Sequence, residues 1–143
     1  MPSYHLNHVN VRTLDLERTR DFYAEVIGLV EGFRPPFPTP GYWMYAGDTA
    51  VIHISPCDVD DTAARTNPEG MGQGLDHFAM WGEGYTEQIA TLERHAIDYT
   101  KRLAGGGRVI QVFFLDPNGI QIELGFEPAA EGVTAANFDG PIY

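Results

Sequence analysis

Four side chains able to ligate a metal recur at matched places in this sequence. His8 lies in Leu6-Asn7-His8-Val9-Asn10-Val11-Arg12, and His77 in Leu75-Asp76-His77-Phe78-Ala79-Met80-Trp81. Both stretches follow the frame Leu-x-His-apolar-x-apolar, at an offset of 77 − 8 = 69. A second pair answers them, His53 in Val51-Ile52-His53-Ile54 and Glu123 in Ile120-Gln121-Ile122-Glu123-Leu124, at an offset of 123 − 53 = 70. A lone histidine on a strand is more often structural than a ligand, but a repeated spacing argues for a duplicated module with a metal site. Glu123 interrupts an otherwise apolar strand, where an unpartnered carboxylate is costly. Two neutral imidazoles and a carboxylate suit one divalent transition metal. They leave open positions on Fe(II), and the same set binds Mn(II), Ni(II), Co(II) or Zn(II). His8, His77 and Glu123 are therefore the expected ligands. His53 fits three roles: a fourth ligand, an acid/base, or a pocket wall. Arg12 points with His8 and suits either an anionic substrate or a surface ion pair. His5 and His95 read as surface residues.

The elements that must carry these residues alternate in a recognisable order. Leu6 to Arg12 reads as a half-buried strand, with Val9 and Val11 on one face and His8 on the other. Asp15 can cap a helix whose apolar positions run from Leu16 to Ile27 and which Gly28 ends. The run Arg34-Pro-Pro-Phe-Pro-Thr-Pro-Gly41 cannot be regular structure; it is a stiff loop, either a connector or, through Phe37, a pocket wall. Gly41 to Ala46 and Ala50 to Ser55 are strands joined at Gly47-Asp48. The second half repeats the plan: a strand from Leu75 to Trp81, a helix face of Tyr85, Ile89, Leu92 and Ala96, then strands near Tyr99 to Arg102, Val109 to Leu115 and Ile120 to Gly125. Asp116-Pro117-Asn118-Gly119 is the tight turn before the last. The expected class is α+β: a single domain, 1–143, of two βαβββ modules, 4–56 and 75–127, with a linker at 57–74. The tail, 128–143, looks linker-like, with Phe138, Pro141, Ile142 and Tyr143 able to anchor it on the body or on a partner chain.

Composition excludes several classes. The 143 residues suffice for one domain with a real core, and 43% hydrophobic with 20% charged residues fits a soluble globular chain. A formal charge of −11 argues against nucleic acid or an anionic membrane surface, both of which call for a basic footprint. No apolar run approaches the roughly 20 residues of a membrane span. Cys57 is the only cysteine, so no intrachain disulfide can form, and the N-terminus does not read as a signal peptide. A cytoplasmic protein acting on a small molecule is the expectation.

The duplicated βαβββ pattern, opened by His8 and His77 and closed by Asp-Pro-Asn-Gly-Ile-Gln-Ile-Glu, resembles the vicinal oxygen chelate superfamily. That group includes glyoxalase I, methylmalonyl-CoA epimerase, type I extradiol dioxygenases and the bleomycin-resistance proteins. The resemblance covers roughly residues 4 to 127. It implies a cup-shaped, barrel-like mixed sheet with helices outside, and a homodimer with sites at or near the interface. The favoured implication is an Fe(II) extradiol-type dioxygenase acting on a catechol-like substrate, with His53 shuttling a proton. Phe113 departs from that reading, standing where such enzymes often carry a tyrosine. The alternative is a glyoxalase I-like lyase or isomerase working through a metal-bound enediolate. There His53 stands at the fourth-ligand position, Arg12 matches a substrate-binding arginine, and Cys57 replaces an expected asparagine. A third implication is a metal-free drug-binding resistance protein.

Overall fold

In unit 1, residues 1–72, a strand entering at Val9 is followed by a helix and three further strands, the last of which lies beside the first, and in unit 2, residues 73–143, the same happens from Phe78. The computed structural model describes residue 1, residues 5–56 and residues 77–143. The expected linker at 57–74, Cys57, Leu75 and Asp76 lie outside the described residues.

Unit 1 runs β1 (Val9–Thr13), α1 (Leu16–Glu25), β2 (Val30–Gly32), β3 (Tyr42–Ala46) and β4 (Thr49–Pro56). Its sheet order is β1-β4-β3-β2, with β1 parallel to β4 and the other pairs antiparallel. Unit 2 repeats this as β5 (Phe78–Gly82), α2 (Tyr85–Arg94), β6 (Tyr99–Ala104), β7 (Val109–Leu115) and β8 (Gln121–Phe126), in the order β5-β8-β7-β6. The helix carries the chain from the first strand to the far edge of the sheet, and two antiparallel returns then bring the last strand in parallel beside the first. The α+β class and the two βαβββ units stand as the sequence implies.

Period-two alternation separates core from site. On β4, Ile52 and Ile54 are buried on either side of His53; on β8, Ile122 and Leu124 flank Glu123 in the same way. In unit 1 the apolar face closes with Val11, Tyr23, Val26 and Met44, and in unit 2 with Leu92, Leu103, Ile110 and Val112. The opposite face of each sheet carries the site residues, His53 beside Trp43 in unit 1 and Glu123 beside Phe113 in unit 2. Thr13 ties β1 to α1, its Oγ1 accepting from Asp15 N at 3.0 Å and from Thr19 Oγ1 at 2.9 Å. Asp15 caps α1 by accepting from Arg18 N at 3.0 Å.

Several boundaries differ from the sequence reading. The β1 ladder begins at Val9, so His8 precedes it on exposed backbone. The three-residue β2 has no alternation to announce it, and all of it is exposed. Ala96 is not on the helix face: α2 ends at Arg94, and Ala96 takes φ 53° so that Ile97 N can reach Leu92 O at 2.9 Å. That left-handed closure satisfies a carbonyl that the helix end would orphan. The tail is not a linker. Leu103 N donates to Pro141 O and Tyr143 N to Leu103 O, both at 2.9 Å, so Ile142 lies parallel along β6. The Glu131 carboxylate accepts from Gly84 N at 2.8 Å and Tyr85 N at 3.0 Å, capping α2 where Gly84 has no side chain to do so.

Candidate metal centre

The four expected donors stand in two pairs, one per unit. In unit 1 the His8 and His53 rings stack with centroids 3.8 Å apart at 11°. Trp43, opposite His53 in the β3–β4 register, stacks on its other face at 3.9 Å and 10°. His53 is thus held as the middle ring of three. His8 Nδ1 lies 2.7 Å from Asn7 Oδ1, a contact that suits the tautomer with its proton on Nδ1 and its lone pair on Nε2. Burial lowers the His53 pKa below the ordinary histidine value. The His8 ring and Arg34 push the same way, against a backbone hydrogen bond at Ala50. A neutral imidazole is the form that ligates a metal or accepts a proton.

In unit 2 the pair is hydrogen-bonded rather than stacked. His77 Nε2 lies 2.8 Å from Glu123 Oε2. The other carboxylate oxygen, Oε1, accepts from Gln111 Nε2 at 2.7 Å, and Gln111 Oε1 accepts from Arg102 Nε at 2.7 Å. Because Arg102 has donors only, it fixes which end of the Gln111 amide is oxygen, and therefore that the NH2 end faces Glu123. The Arg102 guanidinium lies over Phe113 at 4.9 Å, and Phe113 meets the His77 ring edge-on at 5.7 Å. Phe113 pairs with Glu123 in the β7–β8 register, as Trp43 pairs with His53.

Among the described residues, neither unit alone gathers three His, Cys, Asp or Glu side chains. The donor chemistry of the unit 2 pair nevertheless fits a divalent cation, whereas the stacked His8 and His53 rings aim their in-plane lone pairs along parallel planes. Two atoms about 2.1 Å from one metal at right angles stand about 3.0 Å apart, and His77 Nε2 and Glu123 Oε2 already have nearly that spacing. The half-buried Glu123 is held by an amide donor, the kind of outer contact that orients metal-ligating carboxylates. Arg12 donates from Nη2 to the Pro56 carbonyl at 3.1 Å, alongside the β1–β4 ladder. His5 and His95 are exposed.

Sequence alone gives Gln111, Arg102 and Trp43 no role in the site. A signal was present: Trp43 and Phe113 repeat at the same offset as His53 and Glu123, as do Gly41 and Gln111.

Residues 5–124 match the model of the Glyoxalase/Bleomycin resistance protein/Dioxygenase superfamily. The chain belongs to this superfamily. It is 28% identical over 124 residues to "Glyoxylase I 4" of Arabidopsis thaliana, covering 83% of this chain and 68% of that one. It is likewise 28% identical over 126 residues to the mitochondrial methylmalonyl-CoA epimerase of Bos taurus, covering 83% and 72%. A glyoxalase family structure from Bacillus anthracis superposes with a TM-score of 0.65 at 23% identity, covering 89% of this chain and 99% of that one, which supports the fold. Members of the superfamily are mostly enzymes that commonly use a divalent metal. No helix among the described residues is long and apolar enough to cross a membrane.

Proposed function

We propose that this chain is a divalent-metal-dependent lyase or isomerase that moves a proton on a carbon next to a carbonyl. The reading rests on likeness over 83% of the chain to proteins named for a glyoxalase and an epimerase. The presence of His8, His53, His77 and Glu123 adds to it and counts against a metal-free binder. Those names favour the lyase or isomerase expectation over ring cleavage by an oxygenase.

His8, His77 and Glu123 would hold the metal. A bound divalent cation supplies Lewis-acid polarisation of substrate oxygens, which acidifies the neighbouring C–H. The chain's own part is positional. Gln111 holds Glu123 Oε1, so Oε2 is the oxygen presented on the His77 side. Burial, the His8 ring and Arg34 lower the His53 pKa, which favours the neutral form needed to ligate or to take a proton at a ring nitrogen. Trp43 and His8 clamp its ring plane and so limit the directions from which a substrate can reach it. A homodimer completes the reading, because a sheet of four strands leaves edges for a second copy to cover.

Chelator-stripped protein reloaded with Ni(II), Co(II), Zn(II), Mn(II) or Fe(II) tests this. Each form is offered the thiohemiacetal of methylglyoxal with glutathione, methylmalonyl-CoA in D2O, and a catechol under air. Turnover or deuterium uptake that needs the metal supports the reading. Ring cleavage of the catechol, or proton exchange unaffected by stripping, overturns it. Light scattering at micromolar concentration tests the dimer, and a persistent monomer removes it.

A further inference from the structure

The two units each place an arginine beside the site strand, but only one of the two is tied down. In unit 2, Arg102 pairs with Gln111 in the β6–β7 register and spends its Nε on that amide. The β2–β3 register, extended two residues past Gly32, brings Arg34 to the corresponding place opposite Gly41. A Cβ on Gly41 would in fact stand 3.3 Å from both Nε and Nη2 of Arg34. Where unit 2 has Gln111, unit 1 has no side chain, and none fits: that Cβ would lie 2.4 Å from the Ile54 carbonyl oxygen. Arg34 is left without a hydrogen-bond or ion-pair partner among the described residues, resting its guanidinium 5.0 Å over the Phe37 ring.

The space beside it is a cavity of about 430 Å³, lined by Arg34, Phe37, Pro38, Pro40, Tyr42 and Glu17 among others. Prolines hold the loop stiff, so little entropy is lost on filling it. Glu17 is engaged by the Tyr42 hydroxyl at 3.1 Å and not by Arg34. Phe37 reaches from this cavity to Trp43, ring centroids 6.1 Å apart, and Trp43 stacks on His53. One aromatic wall therefore separates the unpaired cation from the His53 ring.

We propose that Arg34 and the proline-stiffened cavity form a subsite for the carboxylate of an anionic substrate, with the apolar part of that substrate against Phe37. A half-buried guanidinium presents a planar fork that matches a carboxylate. A single cation with Glu17 in the same lining suits a monoanion better than a phosphate dianion, which Glu17 would repel. The subsite deepens the lyase or isomerase reading by naming one end of the substrate, and it rests on that reading for its use in turnover.

Benzoate, benzamide and inorganic phosphate serve as probes, titrated by calorimetry and by amide NMR against the 143-residue chain stripped of metal with a chelator. Saturable benzoate binding is expected, with shifts at residues 34–43, and benzamide weaker than benzoate. Arg34→Gln should weaken benzoate roughly 10-fold or more, and Arg34→Lys by less, because it keeps the charge and loses the fork. Absence of saturable benzoate binding, equal binding of benzamide, or an unchanged affinity in Arg34→Gln with a native NMR spectrum each overturns the subsite. Phosphate binding tighter than benzoate overturns the carboxylate assignment. Because metal is absent throughout, failure of the metal-dependent reading leaves these outcomes intact, and the reverse also holds.

Discussion

Unit 1 and unit 2 carry the same strand order, yet they hold their site residues by different forces. In unit 2, Glu123 sits at the end of a hydrogen-bonded chain through Gln111 to Arg102. In unit 1, its counterpart His53 is gripped by ring faces, His8 on one side and Trp43 on the other. The difference follows from one position in the repeat. Gln111 has room for an amide, whereas Gly41 is pressed against the Ile54 carbonyl and can bear no side chain. The Glu123 carboxylate is oriented by a side-chain donor; the His53 imidazole is oriented by stacking together with its hydrogen bond at the Ala50 backbone. The same position decides that Arg102 is a structural partner and Arg34 is not.

The comparison breaks most visibly at the paired residues themselves. Replacing His53 by Gln should cut turnover on the order of 10²- to 10⁴-fold, the usual reach of a proton-transferring group, with metal content nearly intact if the ring moves a proton. Loss of metal in His53→Gln and in His53→Ala, read by elemental analysis, makes it a ligand instead and the two units more alike. If neither variant changes metal or rate, His53 is a wall.

Gln111→Leu comes next. It removes the donor to Glu123 Oε1 without changing a ligand, and metal affinity measured by competition with a chelating dye should fall about 10- to 100-fold. An unchanged affinity would mean that the hydrogen-bonded chain of unit 2 organises nothing. Gln111→Glu, which places a second carboxylate against Glu123, should weaken binding less, since the metal relieves the like-charge contact.

The helices offer a smaller contrast. Asp15 caps α1 from the adjacent position, while α2 is capped by Glu131, 46 residues beyond Tyr85. Asp15→Ala and Glu131→Ala should each cost about 1 kcal/mol in urea denaturation. Only Glu131→Ala should also speed amide exchange at Leu103 and Tyr143, because it loosens the tail. Equal exchange in both variants would separate the tail from the cap.

The smallest effect is in pH. The lowered His53 pKa means that the unfolded chain takes up this proton before the folded one does. In metal-stripped protein that share of stability is present above the ordinary histidine value near 6.5 and lost as the pH falls towards the lowered one. The His8 ring and Arg34 both push it in that direction, against the hydrogen bond at the Ala50 backbone. His53→Gln should flatten the urea midpoint between about pH 7.5 and pH 5.5 relative to the parent. A parallel slope in both proteins would assign the effect to another group.

Local chemistry was enough to read much of this molecule from its residues. The alternation around His53 and Glu123 set which face is core, because period-two burial leaves no other choice. The turn at Asp116 was legible too: its Oδ1 accepts from Asn118 N and Ile120 N at 2.8 Å, and Gly119 takes φ 79°. Spacing alone singled out the four candidate donors and paired the two halves. What it left open was decided by contacts between residues far apart in the chain. The exposed β2 forms only because β3 is there to pair with it. The tail becomes structure only because the β6 edge offers Leu103 N and O, and α2 lacks a cap of its own. Gln111 gains a role only when the β6–β7 and β7–β8 ladders bring Arg102 and Glu123 to either end of its amide. Composition and periodicity encode burial; they do not encode which polar group will stand opposite another, because that depends on ladder register and on whether a Cβ fits.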